Sequence, residues 1–272
     1  YFIILLYSKK INLYILFNMD YNSIWKEMFE YMQELLNYKY TFKVGTFDAG
    51  PHQKMRLSSI LKHQEYAGEC HLVNRYSLDY ETILERGVVF VLVNTDIIIH
   101  RMPTLNETVT IDTWNKELKG LKFFRGYDWF DENGKKIIEG ISTFVLVDAI
   151  DHRIVKASAL GTELPTDSQR KSTLENPKKI HLPKELKQTG SKKVLYSMLD
   201  SNEHLNNALY ADFLIDFIDS DKVAKIKGFS IDFVKEARLG EKIEVFENKE
   251  ENEIFFKGDV DNNTCFRGRL KF

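Results

Sequence analysis

The spacing of apolar residues changes in the same order in both halves of this chain, from a strand-like run to the period of a helix, and this restricts the possible folds. In each half a strand-like run precedes a segment with apolar residues every three or four positions, the period of a buried helix face. These helical segments are residues 52–70 and 203–219. Four strand-like runs follow the first, at residues 87–100, 107–116, 121–131 and 135–148, and four follow the second, at residues 225–234, 241–248, 253–261 and 264–272. A helix followed by consecutive strands indicates an α+β fold, here two units in which one long helix is wrapped by a curved antiparallel sheet.

Two local signals support the strands. Residues 87–100 contain Val-Val-Phe-Val-Leu-Val and Ile-Ile-Ile, a β-branched stretch that favours a strand covered on both faces. Asn133 and Gly134 separate two later runs, and both residue types accept positive φ, so they predict a tight hairpin. We place further strands at residues 41–48 and 192–198, one before each helical segment.

A change of composition separates the two halves. Between residues 149 and 190 the apolar period fades, and Pro165, Pro177 and Pro183 lie among charged and small residues, as in a linker. We therefore predict an N-terminal extension and helix over residues 1–40, a first unit over 41–148, this linker, and a second unit over 191–272. Residues 1–18 lack both the roughly 18 uninterrupted apolar residues of a membrane span and the order of a secretory signal, and whether they belong to the mature protein stays open.

The charge balance argues against a polyanionic partner. The 38 Lys and Arg residues nearly cancel the 40 Asp and Glu residues, so we expect neither nucleic acid nor an anionic membrane surface as a partner. Residues 167–193 are an exception, with eight basic against three acidic residues, which indicates either a solvated linker or a docking surface for an acidic partner. Cys70 and Cys265 are the only cysteines, too few for a disulfide framework, and they favour a reducing cytoplasm.

The segment Asp-Ser-Asn-Glu-His-Leu-Asn-Asn-Ala-Leu-Tyr, residues 200–210, is the strongest candidate for a site. Asp200, Asn202 and His204 alternate, so an extended backbone would place their side chains on one face at the start of a helix. Histidine donates, accepts or shuttles protons near neutral pH, but a single histidine at a helix start is more often an ordinary structural residue. Glu236, at the end of the apolar strand before it, is equally open to a plain role as a charged strand end. If the sheet brings Glu236 to His204, the group could activate water and stabilise an oxyanion.

Other catalytic patterns are missing from the sequence. It has no Gly-x-Ser-x-Gly, no Gly-rich phosphate loop, no His-Glu-x-x-His and no Cys-x-x-Cys, and its remaining histidines lack a metal-ligand spacing. We therefore expect no cofactor and no metal.

Residues 198–210 resemble the Asp-x-Asn-x-His-x-Asn-Asn-x-x-Tyr signature of the acyl-acyl carrier protein (acyl-ACP) thioesterases. The similarity extends to residues 41–272 through weaker matches in the first half: Met102-Pro103, Thr113-Trp114, Arg125-Gly126-Tyr127, the Asn-Gly turn, and Ser142-Thr143-Phe144 to Asp148. The resemblance implies two tandem hotdog units, in agreement with the repeated element order.

The resemblance also implies a catalytic set in the second unit, which falls on Asp200, Asn202, His204 and Glu236. In that family picture Glu236 and His204 activate or deliver water to the thioester carbonyl, Asn202 holds the carbonyl oxygen and Asp200 orients the others. Plant members often carry a cysteine directly after the glutamate, where this chain has Ala237. A nucleophilic cysteine at that position is thereby excluded, so water, or Glu236 itself, attacks.

By the same resemblance the substrate is a fatty acyl chain on the phosphopantetheine arm of acyl carrier protein, a small acidic protein that the basic residues 167–193 could contact. The first unit would form the acyl pocket. The chain length is left open, as is the choice between monomer and homodimer. Three alternatives remain: an acyl-CoA thioesterase, a hotdog dehydratase, and a non-catalytic acyl-binding hotdog protein. The dehydratase expects a Val-Pro-Gly-like turn after its histidine, whereas His204 is followed by Leu-Asn-Asn.

Overall fold

A computed structural model describes residues 21–167, 170 and 172–272, so the predicted extension of residues 1–18 lies outside the described residues. The helices are α1 (Tyr21–Leu36), α2 (Leu57–Tyr76), α3 (Tyr80–Glu85), α4 (Leu209–Ile215) and α5 (Ser220–Val223). The strands are β1 (Asn37–Lys43), β2 (Val88–Ile99), β3 (Thr108–Lys119), β4 (Lys122–Phe130), β5 (Lys136–Asp148), β6 (Lys187–Lys193), β7 (Gly228–Phe233), β8 (Lys242–Lys249), β9 (Glu253–Val260) and β10 (Asn263–Lys271). Within the described ranges, no helix is long and apolar enough to cross a membrane.

The described strands form one ten-stranded sheet in the order β1-β3-β4-β5-β2-β7-β10-β9-β8-β6, with antiparallel pairing throughout. Each half contributes five strands. Counted from its own edge, each half has the order first, third, fourth, fifth, second. The halves meet where β2 pairs with β7, from Asn94 opposite Asp232 to Ile98 opposite Gly228. The sheet therefore has the repeated plan that the apolar pattern predicts.

The predicted strand bounds are close except for the first strand of each half. We predicted residues 41–48 and 192–198, whereas β1 ends at Lys43 and β6 ends at Lys193. Val44 and Val194, which follow these strands, are almost fully buried although they lie in loops. Apolar loop residues that fill the core imitate the alternation of a strand, and this moved both predictions toward the C-terminus.

The helix predicted over residues 203–219 is wrong in extent. The chain there forms only α4, seven residues long, and the short α5 begins after it at Ser220, whereas α2 of the first half has 20 residues. Leu205 and Ala208 precede α4 and are nevertheless buried together with Phe213. The apolar period therefore identified the buried positions correctly, while the backbone between residues 199 and 206 is taken up by β-bridges and turns.

The segment predicted as a linker packs against the sheet. The Arg170 guanidinium lies 3.2 Å from Asp112 and 3.0 Å from Asp128, and it stacks over Trp114 at 3.7 Å. The Ile180 amide donates a hydrogen bond to Asp232 Oδ2 at 2.8 Å. Part of the basic excess of residues 167–193 is thus used inside the molecule.

Candidate active site

The loop that carries the predicted triplet is a tight turn. Asp200 Oδ1 accepts hydrogen bonds from the amides of Asn202, at 2.8 Å, and His204, at 3.2 Å. The Asp200 amide donates to the His204 carbonyl at 2.8 Å, and Glu203 has φ of 64°. The expectation that Asp200, Asn202 and His204 share one face of an extended segment is therefore wrong. Aspartate closes such turns by binding backbone amides nearby, which here takes its side chain out of the alternating pattern.

A β-bridge brings Glu236 to His204. His204 pairs with Arg238 across the bridge, and the Leu205 amide donates to the Ala237 carbonyl at 2.8 Å. This register places His204 Nε2 3.2 Å from Glu236 Oε2. The histidine side chain is 17% exposed and the glutamate side chain 49%, so the carboxylate remains open to water while the imidazole is mostly covered.

The amide of Asn202 has a partner from the other half of the molecule. The Tyr80 hydroxyl donates to Asn202 Oδ1 at 3.1 Å, so the Asn202 Nδ2 group remains as a donor. Tyr80 begins α3, a helix that we did not predict. The sequence signal for this helix is Asp79, the N-cap residue, whose carboxylate accepts a hydrogen bond from the Thr82 amide at 2.8 Å.

The first half contains the same loop without the same side chains. Three backbone hydrogen bonds of the first half have a matching bond in the second half. The bond from Gly50 N to Lys54 O matches that from Asp200 N to His204 O, both 2.8 Å. Met55 N to Pro103 O, 2.9 Å, matches Leu205 N to Ala237 O, 2.8 Å, and Val44 N to Glu107 O matches Val194 N to Glu241 O, both 2.9 Å. The residue before the bridging position has positive φ in both loops, at Gln53 (56°) and Glu203 (64°).

This correspondence assigns a counterpart to every predicted site residue. The positions of Asp200, Asn202, His204 and Glu236 are occupied in the first half by Gly50, His52, Lys54 and Met102. The first-half loop thus lacks the carboxylate and imidazole pair. The backbone is duplicated, whereas the chemical groups are confined to the second half.

His204 and Glu236 border a cavity of about 800 Å³ that lies between the halves. Asn202 and Asn207 also line it. The first half supplies most of the remaining wall, which is largely apolar: Leu72, Leu78, Ile83, Leu92, Phe123, Phe124 and Phe144. A volume of this size and character suits an extended apolar ligand.

Neither cysteine belongs to this cavity. Burial raises the pKa of the Cys265 thiol to about 12, so that thiol stays protonated, and its Sγ donates to the Gly258 carbonyl at 3.2 Å. Ala237, which directly follows Glu236, is fully buried and does not line the cavity. Its backbone also bonds the Tyr210 hydroxyl, whose pKa is raised by burial. Among the described residues, no cluster of three or more His, Cys, Asp or Glu side chains is placed to hold a metal ion.

Comparison with known proteins gives one consistent family. The acyl-ACP thioesterase N-terminal domain model matches residues 35–159, and the corresponding C-terminal domain model matches residues 183–268. A palmitoyl-acyl carrier protein thioesterase from Gossypium hirsutum is 22% identical over 205 residues, which are 68% of this chain and 48% of the relative. The chain thus spans about half the length of that curated relative.

Solved structures share the fold at low sequence identity. An acyl-ACP thioesterase from Bacteroides thetaiotaomicron is 19% identical with a TM-score of 0.81, covering 89% of this chain and 99% of that one. A 12:0-ACP thioesterase from Umbellularia californica is 16% identical with a TM-score of 0.68, covering 86% and 96%. The fold is α+β, a tandem hotdog, as the sequence predicts. With both domain models matched in order, this chain belongs to the acyl-ACP thioesterase family.

Proposed function

We propose that this protein hydrolyses the thioester bond between a fatty acyl chain and acyl carrier protein, releasing the free fatty acid and ending chain elongation. The observation that carries the proposal is the contact of His204 with Glu236 at 3.2 Å on the wall of an apolar cavity. Membership in a family whose relatives are named for palmitoyl-ACP and 12:0-ACP supports the substrate class. In this proposal the first unit, residues 41–148, holds the acyl chain and the second, residues 191–272, carries the reacting groups.

The site residues have distinct proposed roles. Glu236, half exposed and beside His204, takes a proton from a water molecule as the water oxygen attacks the thioester carbon. Asn202 Nδ2 donates to the carbonyl oxygen on which negative charge develops, because its Oδ1 is already bound by Tyr80. Asp200 holds the loop through two backbone amides. The carbon–sulfur bond then breaks, and the phosphopantetheine thiolate leaves with the proton that Glu236 took from the water, passed on by His204.

Direct attack by Glu236 is the second route that the site allows. It would form an acyl anhydride on the carboxylate before water completes the reaction. Rapid quenching followed by mass spectrometry of the peptide containing Glu236 distinguishes the routes, because the water route leaves that peptide unmodified.

The test of function is release of fatty acid from acyl-ACP across a series of chain lengths, compared with the same acyl groups on coenzyme A. We expect turnover of acyl-ACP and its loss in His204→Ala. Faster turnover of acyl-CoA would favour the acyl-CoA alternative. Formation of 2-enoyl product from a 3-hydroxyacyl thioester would favour the dehydratase. A bound acyl chain that is never released would favour the non-catalytic binding protein.

We also propose that part of the basic segment contacts the acidic carrier. Arg170 and Lys178 are paired within this chain, but Lys184 and Lys187 form no ion pair with the described residues. Replacing both with glutamate should raise KM for acyl-ACP and leave KM for acyl-pantetheine unchanged. An equal change for both substrates would contradict a docking role.

The cytoplasmic location stays a prediction, with Cys70 and Cys265 both free thiols. The homodimer also stays a prediction, which sedimentation velocity would test.

A further inference from the structure

Glu65 is an acidic residue on the wall of the cavity that the proposed reaction does not use. It belongs to α2 of the first half and lines the same cavity as His204 and Glu236. The side chain borders the cavity and is only partly covered as a whole, but its Oε1 atom is shut off from solvent. Among the described residues, Oε1 has no hydrogen-bond partner. A buried acceptor without a donor is costly, so the Glu65 carboxyl is suited to turn this oxygen toward a donor that arrives with a ligand.

The groups around Glu65 favour its neutral form. Burial, together with the nearby carboxylates of Glu69 and Asp200, raises the pKa of Glu65 to about 7, against the opposing charge of Lys62. The Tyr127 hydroxyl, on the facing strand β4, is close enough for its own pKa to be raised in part by Glu65. Near neutral pH the Glu65 carboxyl therefore spends much of its time protonated, when one oxygen donates and the other accepts.

The polar surface continues for one turn along α2. A Cβ atom built on Gly68 would lie 3.5 Å from Tyr127 Oη and 3.4 Å from Arg125 Nε, so the missing side chain lets polar atoms approach the helix. The Arg125 guanidinium is buried and bonds three uncharged groups, on His71, Thr113 and Asn115. Its pKa is lowered by burial.

Beyond Gly68 the wall also contains apolar residues. Leu72 follows Gly68 by one turn of α2, and Leu78 and Ile83 come after it. The polar atoms of Tyr127 and Arg125 therefore lie beside Glu65. Asp200, whose charge raises the pKa of Glu65, closes the loop that carries His204. A substrate held with its thioester at His204 and Glu236 would therefore have its first carbons on the side of the cavity where Glu65 lies.

We propose that Glu65 is a substrate-recognition residue that hydrogen-bonds a hydroxyl group near the thioester, so that the preferred substrates are 3-hydroxyacyl chains. This inference rests on the proposed thioester hydrolysis. A hydroxyl on C3 is two carbons from the reacting carbonyl, and it supplies both a donor for Oε1 and an acceptor for the protonated carboxyl. An unsubstituted chain places methylene groups against Oε1 and leaves it without a donor. Sites built to bind a substrate hydroxyl discriminate strongly against the analogue that lacks it.

The experiment compares two substrates of equal chain length, 3-hydroxyacyl-ACP and unsubstituted acyl-ACP. For the unaltered protein we expect kcat/KM to favour the hydroxylated substrate about tenfold or more, the scale of one buried hydrogen bond to a carboxyl group. Glu65→Met keeps the length of the side chain without polar oxygens, and we expect it to abolish the preference and to raise activity on the unsubstituted chain. Glu65→Gln keeps a donor and an acceptor and should retain part of the preference.

Glu85→Gln is the matched control, because Glu85 is an exposed glutamate of the same half that does not line the cavity. We expect the ratio of the two kcat/KM values to be that of the unaltered protein. Hydrolysis of both substrates at equal efficiency, or a preference for the hydroxylated chain that persists in Glu65→Met, overturns the role of Glu65 and leaves the proposed hydrolysis intact. No fatty acid release from either substrate overturns both proposals. Dehydration of the 3-hydroxyacyl substrate instead of hydrolysis also overturns both.

Discussion

Replacing Glu236 with glutamine is expected to separate catalysis from folding. The Glu236 side chain is 49% exposed, and its described polar contact is His204 Nε2 at 3.2 Å. Contacts between partly exposed side chains contribute about 0.2–1 kcal/mol to stability even where both groups are charged. Glutamine keeps the length and shape of the side chain, so the free energy of unfolding should change by less than about 1 kcal/mol. For a protein of this size that corresponds to a Tm shift of about 4 °C or less.

The expected effect on the reaction is much larger. A positioned general base contributes about 10²- to 10⁴-fold to the rate. At about 1.36 kcal/mol for each factor of ten, this is roughly 2.7–5.4 kcal/mol of transition-state stabilisation. Glutamine cannot take the proton from water. The loss of transition-state stabilisation therefore exceeds the loss of folding stability several times, and unfolding cannot account for the lost activity.

The assay measures free fatty acid released from acyl-ACP under saturating conditions, with thermal unfolding followed on the same samples. Glu203→Gln is the matched control, since Glu203 adjoins His204 but is exposed and does not line the cavity. We expect Glu203→Gln to retain turnover within about twofold, which is no more than the loss of one weak hydrogen bond would cause. Glu236→Gln with more than about one tenth of the original turnover, below the range for a general base, would refute the proposed role of the carboxylate.

Three further outcomes follow from the structure. Tyr80→Phe removes the hydroxyl that donates to Asn202 Oδ1, and kcat/KM should fall by about 2- to 12-fold, with urea unfolding unchanged; an unaltered rate would show that this bond does not position the amide. Gly258→Ala places a Cβ 2.0 Å from Phe266 Cε1 in the core, and urea unfolding should show a loss of about 1–3 kcal/mol; an unchanged midpoint would contradict this close packing. Burial lowers the pKa of His71 to about 3, so the unfolded chain binds its proton more tightly, and stability should fall as pH drops from about 6.5 toward 3, by about 1.36 kcal/mol per pH unit. The slope of unfolding free energy against pH should be smaller in His71→Gln, and identical slopes would contradict the assignment.

Local pattern was sufficient for much of the fold. The strands β2 to β5 lie within three residues of their predicted bounds, because alternation and β-branched residues act over short distances. The hairpin at Asn133-Gly134 is present, with φ of 75° at Gly134. The repeated order of helix and strands indicated the two units, and residues 200–210 indicated where the reacting groups should lie.

The same pattern could not distinguish a buried turn from a buried helix. Leu205 and Phe213 are both in the core, although only Phe213 lies in α4. The apolar period records which side chains leave water, and a turn tied by Asp200 can bury the same positions as a helix. An extended backbone predicted that the Asp200 side chain shares one face with those of Asn202 and His204, and the two amides that Asp200 binds decided otherwise.

The amino-acid sequence by itself determined the α+β class, the repeated plan, and the presence of an imidazole, an amide and two carboxylates suited to hydrolysis. Only the tertiary structure decided which of them meet. The contact of His204 with Glu236 depends on a bridge between distant segments, and Tyr80 and Glu65 reach the site from the other half of the chain. Periodicity reports burial along one segment, whereas a site between two halves exists only once their sheets have joined.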